Sequence, residues 1–186
     1  MTNLLNIETN DLIFDFMDEY HQYYEPTDFK VLELVKEYIN EDDYVLDFGC
    51  GKGRVAFYLH NELGCKIRGI EYAKPIYDIA LRNLELYGNN KDISFINTNA
   101  EDYEIKEENV FYLFNPFSSN TFQKVLNNIL ESSNPKRLIL FWIMSEYQEI
   151  LDNTKELELI KEIDCNGLAY FNSSFNKLLI YDIKHF

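Results

Sequence analysis

In the run Val45-Leu46-Asp47-Phe48-Gly49-Cys50-Gly51-Lys52-Gly53-Arg54, an apolar stretch from Tyr44 to Phe48 breaks into glycines at positions 49, 51 and 53. Val55, Ala56, Leu59 and Leu63 then recur at helical spacing, and Gly64 sits where a helix C-cap is expected. The local reading is strand, glycine turn, helix. Glycines make φ > 0 inexpensive and let a ligand approach the main chain without meeting a Cβ. The amides that open the helix would offer donors to a polar ligand. A second carboxylate follows at the right place: Lys66-Ile67-Arg68-Gly69-Ile70-Glu71 reads as a strand ending in an acid, and Pro75 opens the next helix. At the end of a second strand, Glu71 can accept both hydroxyls of a ribose.

The glycine spacing separates two nucleoside chemistries. A dinucleotide turn prefers G-x-G-x-x-G, whereas position 54 here is Arg54. Asp47-x-Gly49-x-Gly51-x-Gly53 resembles motif I of the class I S-adenosylmethionine (SAM) dependent methyltransferases. That resemblance covers about residues 41–186 and implies that the turn Asp47, Gly49, Cys50, Gly51, Gly53 backs onto the methionine part of SAM, with Asp47 near its ammonium. It implies too that Glu71, with Tyr72 beside it, holds the ribose, and that Asn99, Ala100 and Glu101 form the adenine turn, Asn99 standing where the family usually has Asp. Phe114-Asn115-Pro116-Phe117 resembles a shortened Asn-Pro-Pro-aromatic motif of amino-group methyltransferases. Two readings of Asn115 stand: it holds the hydrogens of a target nitrogen, or it ends the strand and touches cofactor. Tyr24-Glu25-Pro26-Thr27 is similar to a Tyr-x-Pro-Thr loop of some protein-lysine methyltransferases. Tyr24 and Thr27 then either fold over SAM or simply join two helices.

Composition narrows the partners. The chain has 186 residues, 46% hydrophobic, enough for a substantial single core. Its net charge is −15, from 32 acidic and 17 basic residues, and Lys136-Arg137 is its one adjacent basic pair. Enzymes of nucleic acids must neutralise phosphates, so this balance counts against DNA or RNA and fits a small-molecule or protein-side-chain acceptor. The longest strongly apolar run, residues 138–144, is too short to span a bilayer, and no basic region precedes the apolar residues of the N-terminus. Cysteines 50, 65 and 165 lack metal-type spacing and suit small apolar filler in a reducing, cytoplasmic compartment; no metal site is expected.

The elements that must hold these residues alternate. Leu12, Phe16 and Tyr20 share one helical face, and Val31, Val35, Tyr38 and Ile39 another, with Pro26 between and Thr27 as the second cap. Ile76, Ile79, Ala80 and Leu84 stripe the helix after Glu71, which Gly88 ends. Residues 93–97, 110–114 and 137–143 read as strands, and Phe122, Val125, Leu126, Ile129 and Leu130 as one helix face. Such alternation implies a doubly wound parallel sheet. The β-like segments 157–161 and 177–183 have no helix between them and should pair antiparallel. The expected fold is α/β: a mostly parallel seven-stranded sheet with a C-terminal antiparallel hairpin and two N-terminal helices, residues 1–40 capping a core of residues 41–186.

Methyl transfer from SAM is a displacement at carbon with a good leaving group, so the protein's main task is alignment. A base is needed only when the nucleophile arrives protonated, which leaves Asn115 as the one candidate beside the reaction. The alternatives are a SAM-binding module without transferase activity and a dinucleotide-binding oxidoreductase. The second conflicts with the glycine spacing and with the hairpin.

Overall fold

The computed structural model describes residues 7–10, 25–168 and 173–184. Their strands form one seven-stranded sheet in the order β3-β2-β1-β4-β5-β7-β6. The members are β1 (Tyr44–Phe48), β2 (Lys66–Glu71), β3 (Ile93–Asn97), β4 (Val110–Phe114), β5 (Arg137–Phe141), β6 (Leu157–Asp164) and β7 (Lys177–Ile183). The first five are mutually parallel, and β7 runs antiparallel between β5 and β6. This is the expected mixed sheet. The first expected helix and Tyr24 lie outside the described residues.

Side-chain alternation divides the core into two layers. Val45, Tyr112, Ile139 and Phe141 pack with α1 (Phe29–Val35), α2 (Arg54–Leu63) and Ala80 of α3 (Lys74–Tyr87). Leu46, Phe48, Phe111, Leu113, Leu138 and Leu140 pack with α4 (Ser119–Glu131) and α5 (Ser145–Asp152). Burial on both faces is why the central strands read as unbroken apolar runs. Connections from β1 and β4 leave toward opposite layers, so the crevice opens at the carboxyl ends of this adjacent pair.

Glycine and proline punctuate as anticipated: Gly64 and Gly88 end α2 and α3 in left-handed conformations, and Pro75 lies in the first turn of α3. Three details differ. Asp28, not Thr27, caps α1 by accepting from Lys30 N at 2.8 Å, because Thr27 Oγ1 is taken by the Tyr112 hydroxyl at 2.9 Å. β5 stops at Phe141, where Trp142 turns to φ 61° and its amide bonds Lys177 O. The stripe of α3 carries a buried amide at its centre. Asn83 accepts from Glu8 N and donates to Glu8 O and Lys52 O, fixing residue 8 beside the glycine turn.

Gly69 in β2 is the point of closest packing beneath that turn. A Cβ there would stand 2.6 Å from Cys50 Sγ and 2.7 Å from Phe95 Cδ1. Gly69→Ala should destabilise the fold by about 1–3 kcal/mol, the usual range for overpacking. Urea unfolding checks this, and an unchanged midpoint would mean that Cys50 and Phe95 give way freely.

Candidate functional site

The turn after β1 is built by the chain itself. Gly49 N and Cys50 N both donate to Ile70 O at 2.9 Å, Gly53 N donates to Cys50 O, and Gly51 N reaches Glu71 Oε2 at 3.0 Å. Gly49, Gly51 and Gly53 have φ of 74°, 55° and 88°, angles that L side chains resist. At two of them the missing Cβ serves packing rather than ligand approach. A Cβ on Gly49 would lie 2.6 Å from Pro116 Cβ, and one on Gly53 would lie 2.6 Å from Phe95 Cζ. The amides of residues 49, 50, 51 and 53 are thus spent inside the protein, and the donors expected of this segment fall to the amides that open α2 at Arg54.

What the site lacks is the opposite partner. Asp47 is 2% exposed and Asn115 5%, and Asp47 Oδ2 and Asn115 Oδ1 are buried without a hydrogen-bond partner. They belong to adjacent strands, β1 and the end of β4, paired through Asp47↔Tyr112. An unsatisfied buried acceptor costs about 1–3 kcal/mol, more if charged. Burial first and the Glu71 carboxylate second push the Asp47 carboxyl up to about 8. Burial also raises the Cys50 thiol well above its ordinary value, with Asp47 and Glu71 adding to the shift.

The remaining expected residues divide. Glu71 stands at the end of β2, where its carboxylate accepts from Gly51 N and from Ala73 N at 2.8 Å. Asn97 Nδ2 donates to the carbonyls of Glu71 and Tyr72, and Tyr72 is exposed. Asn99 Oδ1 accepts from Glu101 N and caps the 3-10 turn Ala100–Asp102, in which Ala100 is buried. Glu101 is drawn toward α4: Lys124 Nζ and Thr121 Oγ1 each donate to it at 2.8 Å, and these bonds lower its pKa. The structure therefore gathers Asp47, the glycines, Cys50, Glu71 and Asn115 at one crevice and gives Asn99 and Glu101 turn-forming partners. Thr27 is buried, and its hydroxyl bonds Tyr112, whose phenol feels the Asp47 charge.

Comparison with known proteins agrees with this geometry. The methyltransferase-domain family model matches residues 45–136, from the second residue of β1 to the residue before β5. The likeness to that family covers just under half of the chain. A histone-lysine N-methyltransferase specific for H3 lysine 79, from Dictyostelium discoideum, is 31% identical over an alignment of 90 residues that covers 41% of this chain and 5% of that relative. This chain therefore corresponds to a small part of that protein. Two solved structures share the fold of the methyltransferase domain. An RNA methyltransferase from Salinibacter ruber in complex with S-adenosylhomocysteine (SAH) has a TM-score of 0.68 at 19% identity, covering 86% of this chain and 94% of its own. Geranyl diphosphate C-methyltransferase from Streptomyces coelicolor has 0.63 at 11%, covering 82% and 80%. Among the described residues no helix is long and apolar enough to cross a membrane, and no group of three or more His, Cys, Asp or Glu is placed to hold a metal.

Two residues of the glycine turn gave no functional signal in sequence. Lys52 and Arg54 look like solvent-facing members of a glycine turn, yet they are 1% and 3% exposed. Only the burial of a cation inside a glycine motif, which one sequence does not reveal, would have identified them.

The Asp47 carboxyl gives the site a pH dependence. Its folded value lies near 8 and its unfolded value near 3.9, so the folded state keeps a proton that the unfolded chain releases between those limits. The contribution to stability is complete below about pH 4 and is lost as pH rises through about 8. Relative to Asp47→Asn, which does not titrate, the melting temperature of the parent should fall across this window. A difference that stays constant from pH 4 to 9 would show an ordinary carboxylate at position 47.

Proposed function

We propose that this domain transfers a methyl group from SAM to an amine nitrogen of a small molecule or protein side chain. The observation that carries the cosubstrate reading is the sign of the unmet hydrogen bonds. The turn's amides at residues 49, 50, 51 and 53 are engaged within the chain, and the orphaned atoms, Asp47 Oδ2 and Asn115 Oδ1, are both acceptors. Acceptors call for a donor, preferably a cationic one, and an ammonium beside a sulfonium supplies that. When bound, SAM brings an activated methyl on a positively charged sulfur.

The chain's own residues then bind, orient and exclude water. Asp47 would hold the ammonium, and the added cation would stabilise its ionised form in place of the proton. Glu71, braced by two amides at the end of β2, would accept from the ribose hydroxyls. Asn99 has its oxygen engaged by Glu101 N, so adenine recognition rests on the turn around Ala100. Asn115 ends β4 at φ 37°, Pro116 packs on Gly49, and Phe117 packs edge-on to Phe48 while its carbonyl accepts from Tyr147. A fixed amide oxygen at this strand end suits a nitrogen bearing hydrogens and would aim its lone pair. The relative named for lysine methylation and the net charge of −15 support an amine on a protein or metabolite over a phosphate-rich acceptor. The fold likeness to an RNA methyltransferase carries no acceptor with it.

SAM and SAH should bind in the micromolar range, and NAD should not bind measurably. Calorimetry that found NAD the tighter ligand would remove the cosubstrate assignment. Asn115→Gly deletes the amide while tolerating φ 37° without strain. If the amide holds the acceptor, this variant loses turnover far more than SAM affinity, followed as radiolabelled methyl entering fractionated cell extract. A loss confined to SAM affinity would assign Asn115 to the cosubstrate instead. Label that disappears on nuclease treatment would refute the amine acceptor.

A further inference from the structure

Arg54 is the first residue of α2, where the helix dipole disfavours a cation, and the strand-turn-helix unit has no intrinsic need for it. It is nonetheless buried, and its guanidinium is shared between two separate stretches of the N-terminal segment. Nε donates to Thr9 Oγ1 at 3.2 Å, and NH2 donates to Thr9 O at 2.7 Å and Asn10 Oδ1 at 2.6 Å. NH1 donates to Thr27 O at 3.0 Å. The plane lies over the Phe29 ring, 4.7 Å from its centroid. The neighbouring residue acts in the same direction, since Lys52 Nζ is 3.5 Å from Glu8 Oε1 and Lys52 O accepts from Asn83, which also grips the backbone of residue 8.

Thr27 links this anchorage to the site. Its carbonyl is held by Arg54 and its hydroxyl by Tyr112, the strand neighbour of Asp47. We propose that Arg54 is a positioning residue for the cosubstrate, fastening residues 9–10 and Thr27 to the exit of the glycine turn so that Thr27 and Tyr112 close the wall beside Asp47. The inference rests on the reading that this turn holds SAM. A planar fork of five N–H groups is pre-organised to bridge two backbone stretches at once, whereas a lysine ammonium offers three donors from a single point on a flexible stem. Arg68 provides the comparison. It too is held by several partners, Ser94, Tyr103 and Glu108, but it lies early in β2, away from the carboxyl ends of the strands.

The test is calorimetric titration of SAH into the full chain and the variants Arg54→Lys, Asn10→Ala and Arg68→Lys, each with a melting curve. Arg54→Lys should weaken SAH binding by about tenfold or more, and Asn10→Ala by about threefold, from hydrogen bonds to a charged group lost in part or whole. Arg68→Lys should lower the melting temperature and leave SAH affinity unchanged. In hydrogen exchange, SAH should slow residues 25–28 together with residues 49–54 in the parent, and in Arg54→Lys only the second group should remain slowed. Asn10 is exposed, so Asn10→Ala keeps the question answerable if Arg54→Lys does not fold. Parent-like affinity in Asn10→Ala and in any folded Arg54→Lys overturns the inference, as does an equal loss in Arg68→Lys. A parent that binds no SAH overturns the cosubstrate reading and the inference with it, whereas a binding parent with unaffected variants overturns the inference alone.

Discussion

A carboxylate held dry at the end of a central strand, with no cation bonded to it among the described residues, sets the terms for the rest of this site. Asp47 is buried because β1 is the central one of the five parallel strands and β2, β4 and the glycine turn close around its end. The fold supplies no donor for Oδ2, and the nearby Glu71 adds a second negative charge. Leaving a charged group so placed costs several kcal/mol at the level of general desolvation estimates, enough to matter against a total stability of about 5–15 kcal/mol. The protonated carboxyl lowers that cost without supplying a partner. The arrangement is unfavourable for a scaffold and favourable for binding a cation.

Buried positive charge is handled in the opposite way. Arg54 meets carbonyl, hydroxyl and amide oxygens from residues 9, 10 and 27, and Lys52 meets Glu8, so both cations are compensated within the chain and turned to the N-terminal segment. Had either paired with Asp47, the crevice would have been neutralised from within. The run from Asp47 to Arg54 thus separates its charges: Asp47 faces the crevice, and Lys52 and Arg54 secure the chain that borders it. Removing one partner of a buried cation leaves the charge stranded, which is why such contacts are costly to break.

The sheet was legible because its signals are local and redundant. β1 and β4 are short, mainly apolar runs that end at turn residues, as two-sided burial demands, whereas β2 and β3 alternate apolar with polar residues toward the sheet edge. The glycine turn was legible for the correct residues but partly for the wrong reason. Gly49 and Gly53 are glycine because Pro116 and Phe95 occupy the space of their side chains, a contact between segments distant in sequence. Thr27 was taken for a helix cap because Thr and Asp signal alike in sequence, and a tertiary bond to Tyr112 decided between them. Arg54, Lys52 and Asn83 were illegible on the same ground: their partners lie 27 to 75 residues away for Arg54 and Asn83, and polarity in a turn or helix ordinarily means exposure.

The ends of β4 and β5 carry other marks, in the backbone. Asn89, Asn115 and Trp142 are the non-glycine residues at positive φ among the described residues. Asn89 follows the end of α3, where such a conformation is ordinary, but Asn115 and Trp142 follow the adjacent strands β4 and β5. Left-handed conformations cost roughly 1–2 kcal/mol for such residues. Around them the aromatic rings pair, Phe114 with Phe141 at 4.7 Å and Trp142 with Phe175 at 5.4 Å, and Phe175 stays partly exposed. Rigid rings over a strained turn hold Asn115 in place at little further entropic cost, because an aromatic side chain has few torsions to lose. Strain, orphaned acceptors and exposed aromatic surface therefore coincide at the carboxyl ends of the central strands. Stability gains least from that combination, and alignment of a nucleophile with a methyl donor gains most.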